Sequence, residues 1–199
     1  MATHLDSKQA LQLLLAGNAR FVAGERIFPN QENNRRLELT TGQHPLAAVL
    51  SCSDSRVPPE IVFDQGLGDL FIIRVAGNIA VNSHILASIE YAVEHLKVPL
   101  VMVLGHQKCG ALTAALQGSE AEGSIADLLL ALQPAVEKAR QYPGDLLENA
   151  ILANVDLTVK QLEEASPIVA HAVHAGEVKL VGAYYALESG AVKIISGSK

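Results

Sequence analysis

The chain has 199 residues, 49% of them hydrophobic, and a net charge of −6 with the histidines neutral. That length suits one domain with a sizeable core, and that composition excludes a disordered chain. With no Lys/Arg-rich segment and no apolar run of the roughly 18 residues a membrane span needs, neither nucleic acid nor a membrane is an expected partner.

The N-terminal run Met1-Ala2-Thr3-His4-Leu5-Asp6 has no basic n-region and no uninterrupted apolar stretch. No secretory signal is expected, and the mature chain is expected to begin here. Leu11, Leu14, Leu15, Ala19 and Val22 then follow helical spacing, with Asp6 or Ser7 as cap. The stretch from Gly24 to His44 is polar and rich in Asn, Arg and Gln, and reads as an arm that needs a second subunit to lie on. Leu46–Ser51 reads as the first strand. Asp69–Val75 reads as the second, and its nearly continuous apolar run predicts burial on both faces. Ile85, Leu86, Ile89, Ala92, Val93 and Leu96 mark one face of an amphipathic helix capped by Asn82 or Ser83. Val98–Leu104 is the third strand, and Cys109 opens a helix that ends near Gly118.

Ser124-Ile125-Ala126-Asp127 resembles a capping box and starts a helix through Leu128, Leu129 and Leu132, which Pro134 is expected to kink or interrupt. A longer helix after Gly144 carries Leu147, Ile151, Val155, Thr158 and Leu162 on one face. Ser166-Pro167 begins a short helix that stops at Gly176. Val178–Leu187 and Ala191–Ser196 read as strands joined by a hairpin at Glu188-Ser189-Gly190. The pattern predicts an α/β fold. Its central sheet is mostly parallel, about four parallel strands plus an antiparallel C-terminal strand, and is flanked by helices. A single domain is expected over residues 1–199, with residues 1–44 forming an N-terminal helix and dimerisation arm.

Ligands bind beyond the carboxyl ends of strands in such sheets. Cys52 and Cys109 are the only cysteines; both lie just past predicted strands, and His106 stands three residues before Cys109. Two cysteines do not make a disulfide scaffold, and a reducing, cytoplasmic setting is expected. Any one of these residues suits plain core packing. Together at strand ends, beside Asp54 and Arg56, they read as three zinc ligands with a fourth place for water or Asp54. Asp54 is placed to orient a zinc-bound hydroxide, and Arg56 to hold the Asp54 carboxylate in a bidentate pair. A structural zinc site usually takes four protein ligands at short paired spacings. A Cys52 thiol enzyme would lack a Gly-rich phosphate loop, since Gly66-Leu67-Gly68 precedes a strand and reads as a turn.

Cys52-Ser53-Asp54-Ser55-Arg56-Val57 followed by His106-x-x-Cys109-Gly110 resembles the β-class carbonic anhydrases. Asp64–Phe71, Arg74-Val75-Ala76-Gly77-Asn78, Ser88–Val93, Leu13–Phe21 and Leu180–Tyr185 are similar to other segments of that family. The resemblance implies reversible hydration of CO2 to bicarbonate and a proton. It implies zinc on Cys52, His106 and Cys109, a catalytic dyad of Asp54 and Arg56, and a homodimer or tetramer with sites near the subunit interface. It also implies a closed state in which Asp54 takes the water's place. For substrate binding it points to Gln65, one position off the plant-type glutamine register, with Gly66 at the usual place. Phe71 and Tyr91 are assigned to the apolar CO2 pocket, and Gly110 to a bicarbonate-like anion at a helix N-terminus. Val49 stands where bicarbonate-inhibited bacterial members have tryptophan, so that regulatory pocket is expected to be absent or altered. His44 and His95 read as surface histidines by default, with proton shuttling as the alternative role; His4, His84, His171 and His174 carry no motif support. Two alternatives to CO2 hydration stay open: hydrolysis of carbonyl sulfide or carbon disulfide at the same site, and a non-catalytic zinc-binding scaffold subunit.

Overall fold

A computed structural model describes residues 5–118 and 120–197; the reading of residues 1–4, His4 included, lies outside them. Helix α1 (Ser7–Ala23) starts at Asp6, whose carboxylate accepts from the Gln9 N–H while the Gln9 side chain accepts from the Asp6 N–H. This reciprocal pair is the capping box. The buried face of α1 is Ala10, Leu14, Gly17 and Asn18. Ala19 and Val22, expected on the apolar face, are exposed instead. Asn18 turns the helix to this face: its amide donates to the Val62 and Gly190 carbonyls and accepts from the Val192 N–H.

The arm is less irregular than expected. It contains a short helix, α2 (Asn33–Glu38), and a 3-10 turn at Leu39–Thr41. Asp64 fastens the arm down. It accepts from Arg20 on α1 at 2.6 Å and from the Ile27 and Phe28 N–H groups at 3.1 Å each.

The sheet has the order β2-β1-β3-β4-β5, with β1 (Ala47–Ser51), β2 (Leu70–Arg74), β3 (Leu100–His106), β4 (Lys179–Tyr185) and β5 (Val192–Gly197). The first four run parallel and β5 is antiparallel to β4. The predicted sheet composition therefore matches. Burial of β2 does not: only Ile73 is buried in that strand, and Arg74 is exposed. The reason is its place at the sheet edge, where one flank has no neighbouring strand within this chain.

Helix α3 (Pro59–Val62) follows β1 and α4 (Ser83–Glu94) follows β2, the latter capped by Asn82. Helix α5 (Gly110–Gln117) follows β3, with Cys109 as its N-cap and Gly118 closing it at φ 63°. Helix α6 (Ser124–Ala139) runs unbroken through Pro134, against expectation, and its N-cap is Gly123 with no side-chain cap. Pro134 lies on the exposed side of α6, where water can take up the carbonyl that proline cannot serve. Leu129, Leu132, Ala135, Val136 and Ala139 hold the opposite face in the core.

Helix α7 (Leu146–Ala165) lies against the sheet, and α8 (Pro167–His174) leads into β4. Gly105 on β3 and Gly182 on β4 make the close approach of α7 possible. A Cβ at either would overlap Val155, and one at Gly182 would also overlap Ser196. Val155 thus seats in a dimple of the sheet, and this fixes the depth of its neighbour Asn154.

Candidate metal centre

His106 is the last residue of β3 and Cys52 follows β1 directly. Adjacent parallel strands, with Leu50 beside Val103 and Ser51 beside Leu104, bring these two strand ends together although 54 residues separate them in sequence. Cys109, at the start of α5, completes the cluster. One ligand atom from each of Cys52, His106 and Cys109 lies within 4.8 Å of the others, and all three residues are buried.

The orientation of His106 is fixed. Its Nδ1 is 2.9 Å from the Gln107 carbonyl. A carbonyl only accepts, so Nδ1 carries the proton and Nε2 keeps a lone pair. That Nε2 is buried with no hydrogen-bond partner. A buried lone pair beside two sulfurs is what a cation of borderline softness would satisfy. In a tetrahedral zinc set, donor atoms sit about 3.4–3.8 Å apart, within easy contraction of the observed cluster. The residues present therefore fit zinc.

The thiols are polarised unequally. Cys52 is drawn down to about 4, first by the hydrogen bond from the Cys109 thiol against the opposing cost of burial, and further by the Gly77 N–H. Cys109 is pushed above its ordinary value by that same bond to Cys52 and by burial. The proton that the two sulfurs share must leave when both bind a metal.

Asp54 and Arg56 stand at the edge of the cluster. The Arg56 guanidinium makes a two-pronged contact, Nε to Oδ1 at 2.9 Å and Nη2 to Oδ2 at 2.7 Å, and the Arg56 N–H adds a third bond at 2.9 Å. These bonds hold the Asp54 carboxyl well below the usual carboxylate range, the side-chain contact most strongly and against the cost of burial. Arg56 is itself braced by the Lys108 carbonyl at 3.2 Å. Asp54 Oδ2 is 3.9 Å from His106 Nε2, so the carboxylate borders the cluster while both its oxygens engage Arg56.

The remaining sequence candidates are spread out. Beside Gly110 the position of a Cβ meets nothing within 4 Å, which leaves open space next to Cys109. Gln65 donates to the Phe63 carbonyl at 2.9 Å within its own loop. Phe71 and Tyr91 face each other, ring centres 6.1 Å apart. Phe71 packs in the cluster around Ile73 and Ile89, whereas Cys52 and Cys109 belong to a separate one with Ile79, Leu112 and Tyr184. His95 stacks on Tyr91 at 5.1 Å, away from the cysteines' cluster.

Sequence reading missed the groups that hold the pentapeptide in shape. Arg74 donates to the Cys52 carbonyl at 3.1 Å and to the Asp54 carbonyl at 2.6 Å. The Gly77 N–H points at Cys52 Sγ at 3.4 Å. The Gly77-Asn78 pair is a turn signal, yet nothing in it says which atom the turn aims at the sulfur.

A family model described as "Carbonic anhydrase" matches residues 47–192. A carbonic anhydrase of Mycolicibacterium smegmatis is 42% identical over 191 residues, 94% of this chain and 92% of the relative. Carbonic anhydrase 2 of Mycobacterium tuberculosis strain H37Rv is 40% identical over 91% of this chain and 89% of the relative. Among solved structures, one of two tetrameric β-carbonic anhydrases from Sordaria macrospora aligns with a TM-score of 0.77 at 25% identity, covering 95% of this chain and 98% of that one.

Proposed function

From the premise that this chain belongs to the β-class carbonic anhydrase family, we propose that it catalyses the reversible hydration of CO2 to bicarbonate and a proton on a zinc ion held by Cys52, His106 and Cys109. The observation that carries this reading is the buried, unpartnered His106 Nε2 facing two cysteines at a strand-end cluster. Zinc, when bound there, supplies the Lewis acidity that lets water act as a nucleophile near neutral pH.

The chain's own groups do the rest. Asp54, kept ionised by Arg56, is an acceptor and never a donor in the working range. It accepts a hydrogen bond from the attacking water and so turns that oxygen's lone pair toward CO2. Arg56 and the Lys108 carbonyl keep the carboxylate from swinging toward the cluster; release from Arg56 would produce the closed state. The open space beside Gly110, at the N-terminus of α5, suits the departing bicarbonate, because the positive end of a helix dipole favours an anion. Gln65, Phe71 and Tyr91 are assigned to substrate binding, with Gln65 serving a partner's site. The chain works as a homodimer or tetramer, in keeping with its uncovered arm and edge strand, and in a reducing, cytoplasmic setting that suits two metal-binding thiols.

The test is zinc content and CO2 hydration on one preparation of the wild-type protein and of Cys52→Ser. The expected result is about one zinc per chain in the wild type and loss of both zinc and activity in the variant. A kcat/KM for carbonyl sulfide above that for CO2 on the same preparation would overturn the substrate assignment. A zinc-loaded wild type with no hydration activity at pH 8–9 would overturn the reaction.

A further inference from the structure

The buried face of α7 is mostly apolar: Ala150, Ile151, Ala153, Val155, Val159 and Leu162. Thr158 and Asn154 interrupt it, and Asn154 is 4% exposed. A carboxamide in such a place costs free energy unless it is bonded. Its Nδ2 donates to the Gly77 carbonyl at 2.8 Å, in a buried bond across 77 residues of sequence.

Gly77 is the middle of the turn after β2, with φ 71° and ψ 10°. Its conformation is left-handed, where glycine is at ease, but for the same reason its two peptide planes rotate freely unless something stops them. The Asn78 N–H bond to the Val75 carbonyl closes the turn. Asn154 stops the plane on the carbonyl side. On the amide side the Gly77 N–H donates to Cys52 Sγ at 3.4 Å. The path Asn154, Gly77, Cys52 is therefore a continuous run of two buried hydrogen bonds from the sheet-facing helix to a cysteine sulfur.

We infer that Asn154 is a positioning residue for the Cys52 sulfur, acting through the Gly77 amide. An N–H bond to a thiolate withdraws charge from sulfur and fixes its direction. Two thiolates otherwise cancel the charge of a divalent cation, so this bond leaves the bound metal a better Lewis acid. Groups that orient a ligand from outside typically change metal affinity or activity by 10- to 100-fold when removed. The inference rests on the reading of Cys52, His106 and Cys109 as metal ligands.

The experiment uses Asn154→Leu, which keeps the approximate size and loses the donor, and Asn154→Ala. Zinc affinity is measured by competition with a chromophoric chelator, and the thiolate-to-cobalt charge-transfer band is recorded with cobalt(II) in the site. The expected result, in variants folded by circular dichroism, is a roughly 10- to 100-fold weaker zinc affinity with a shifted band. Affinities within about twofold of wild type and an unmoved band would overturn the inference, since a merely structural asparagine would give that result. If both variants fail to fold, the wild type with cadmium-113 decides the matter. Scalar couplings from cadmium to the Gly77 amide proton and across the hydrogen bond from Asn154 Nδ2 to the Gly77 carbonyl together support the inference, and the absence of either overturns it. The two readings separate cleanly: a wild type that takes up zinc keeps the metal centre whatever Asn154 does, whereas a wild type that takes up none overturns both.

Discussion

Asp54 has two ways to use its carboxylate, toward the cluster or toward Arg56, and here three hydrogen bonds commit it to Arg56. Asp54→Asn keeps the size but replaces one acceptor oxygen by a donor and removes the charge that Arg56 pairs with. We expect this variant to retain zinc, because the three ligands are untouched, and to lose about 10²- to 10⁴-fold in CO2 hydration rate, the range for a positioned proton acceptor. Normal hydration by a zinc-loaded Asp54→Asn protein would remove Asp54 from the mechanism. At this scale the sequence was informative for a physical reason. Cys52, Asp54 and Arg56 meet the site through their own side chains within one pentapeptide, and His106 and Cys109 within one strand-to-helix turn, so their grouping could be read. Arg74, Gly77 and Asn154 left no such trace. They act on backbone carbonyls or through a backbone N–H, groups that every position offers.

Among elements, the helices and strands were legible wherever one chain's own core decides burial. The exceptions have separate causes. The continuous apolar run of β2 predicts cover on both faces, but the strand lies at a sheet edge. Pro134 sits where α6 meets solvent, so the helix survives it. Ala19 and Val22 lose the buried face of α1 to Asn18, whose three long-range bonds have no signature in periodicity. Asp64 joins α1, the arm and the loop after α3. Its side chain is 2% exposed and that of Arg20 is 29%, so removing the charge leaves a part-buried cation unpaired. Burial alone would raise the Asp64 carboxyl, yet Arg20 and the Ile27 and Phe28 N–H groups outweigh it and hold it below its ordinary value. A depressed carboxyl stabilises the fold above its unfolded value of about 3.9 and ceases to do so as pH falls through the folded value. Asp64→Asn should therefore cost about 2–3 kcal/mol at pH 6, the range for hydrogen bonds to a charged group, a fall of roughly 4–12 °C in Tm for a chain of this length. The gap to wild type should narrow below about pH 4. A gap that is constant across pH would mean that the charge is not what matters.

For the whole molecule, the arm leaves Ile27 65%, Phe28 50% and Leu37 60% exposed, and the edge strand β2 leaves Leu70, Phe71 and Ile72 only partly covered. Apolar surface of this kind is seldom left bare in a working protein. Sedimentation of the wild type should accordingly give the mass of two or four chains at micromolar concentration; a monomer throughout would contradict the proposed assembly. A single sequence could hint at this only through a polar arm with little apolar surface to bury in its own chain, because burial between copies follows no periodicity within one of them. The central claim is that Cys52, His106 and Cys109 hold the zinc on which CO2 hydration depends. Stopped-flow CO2 hydration by the wild type, as purified, after chelator stripping and after zinc restoration, tests it most directly. The account predicts activity that disappears with the metal and returns in proportion to zinc up to about one ion per chain. Hydration that persists in the stripped protein, or that fails to return when zinc is bound again at that ratio, would contradict it.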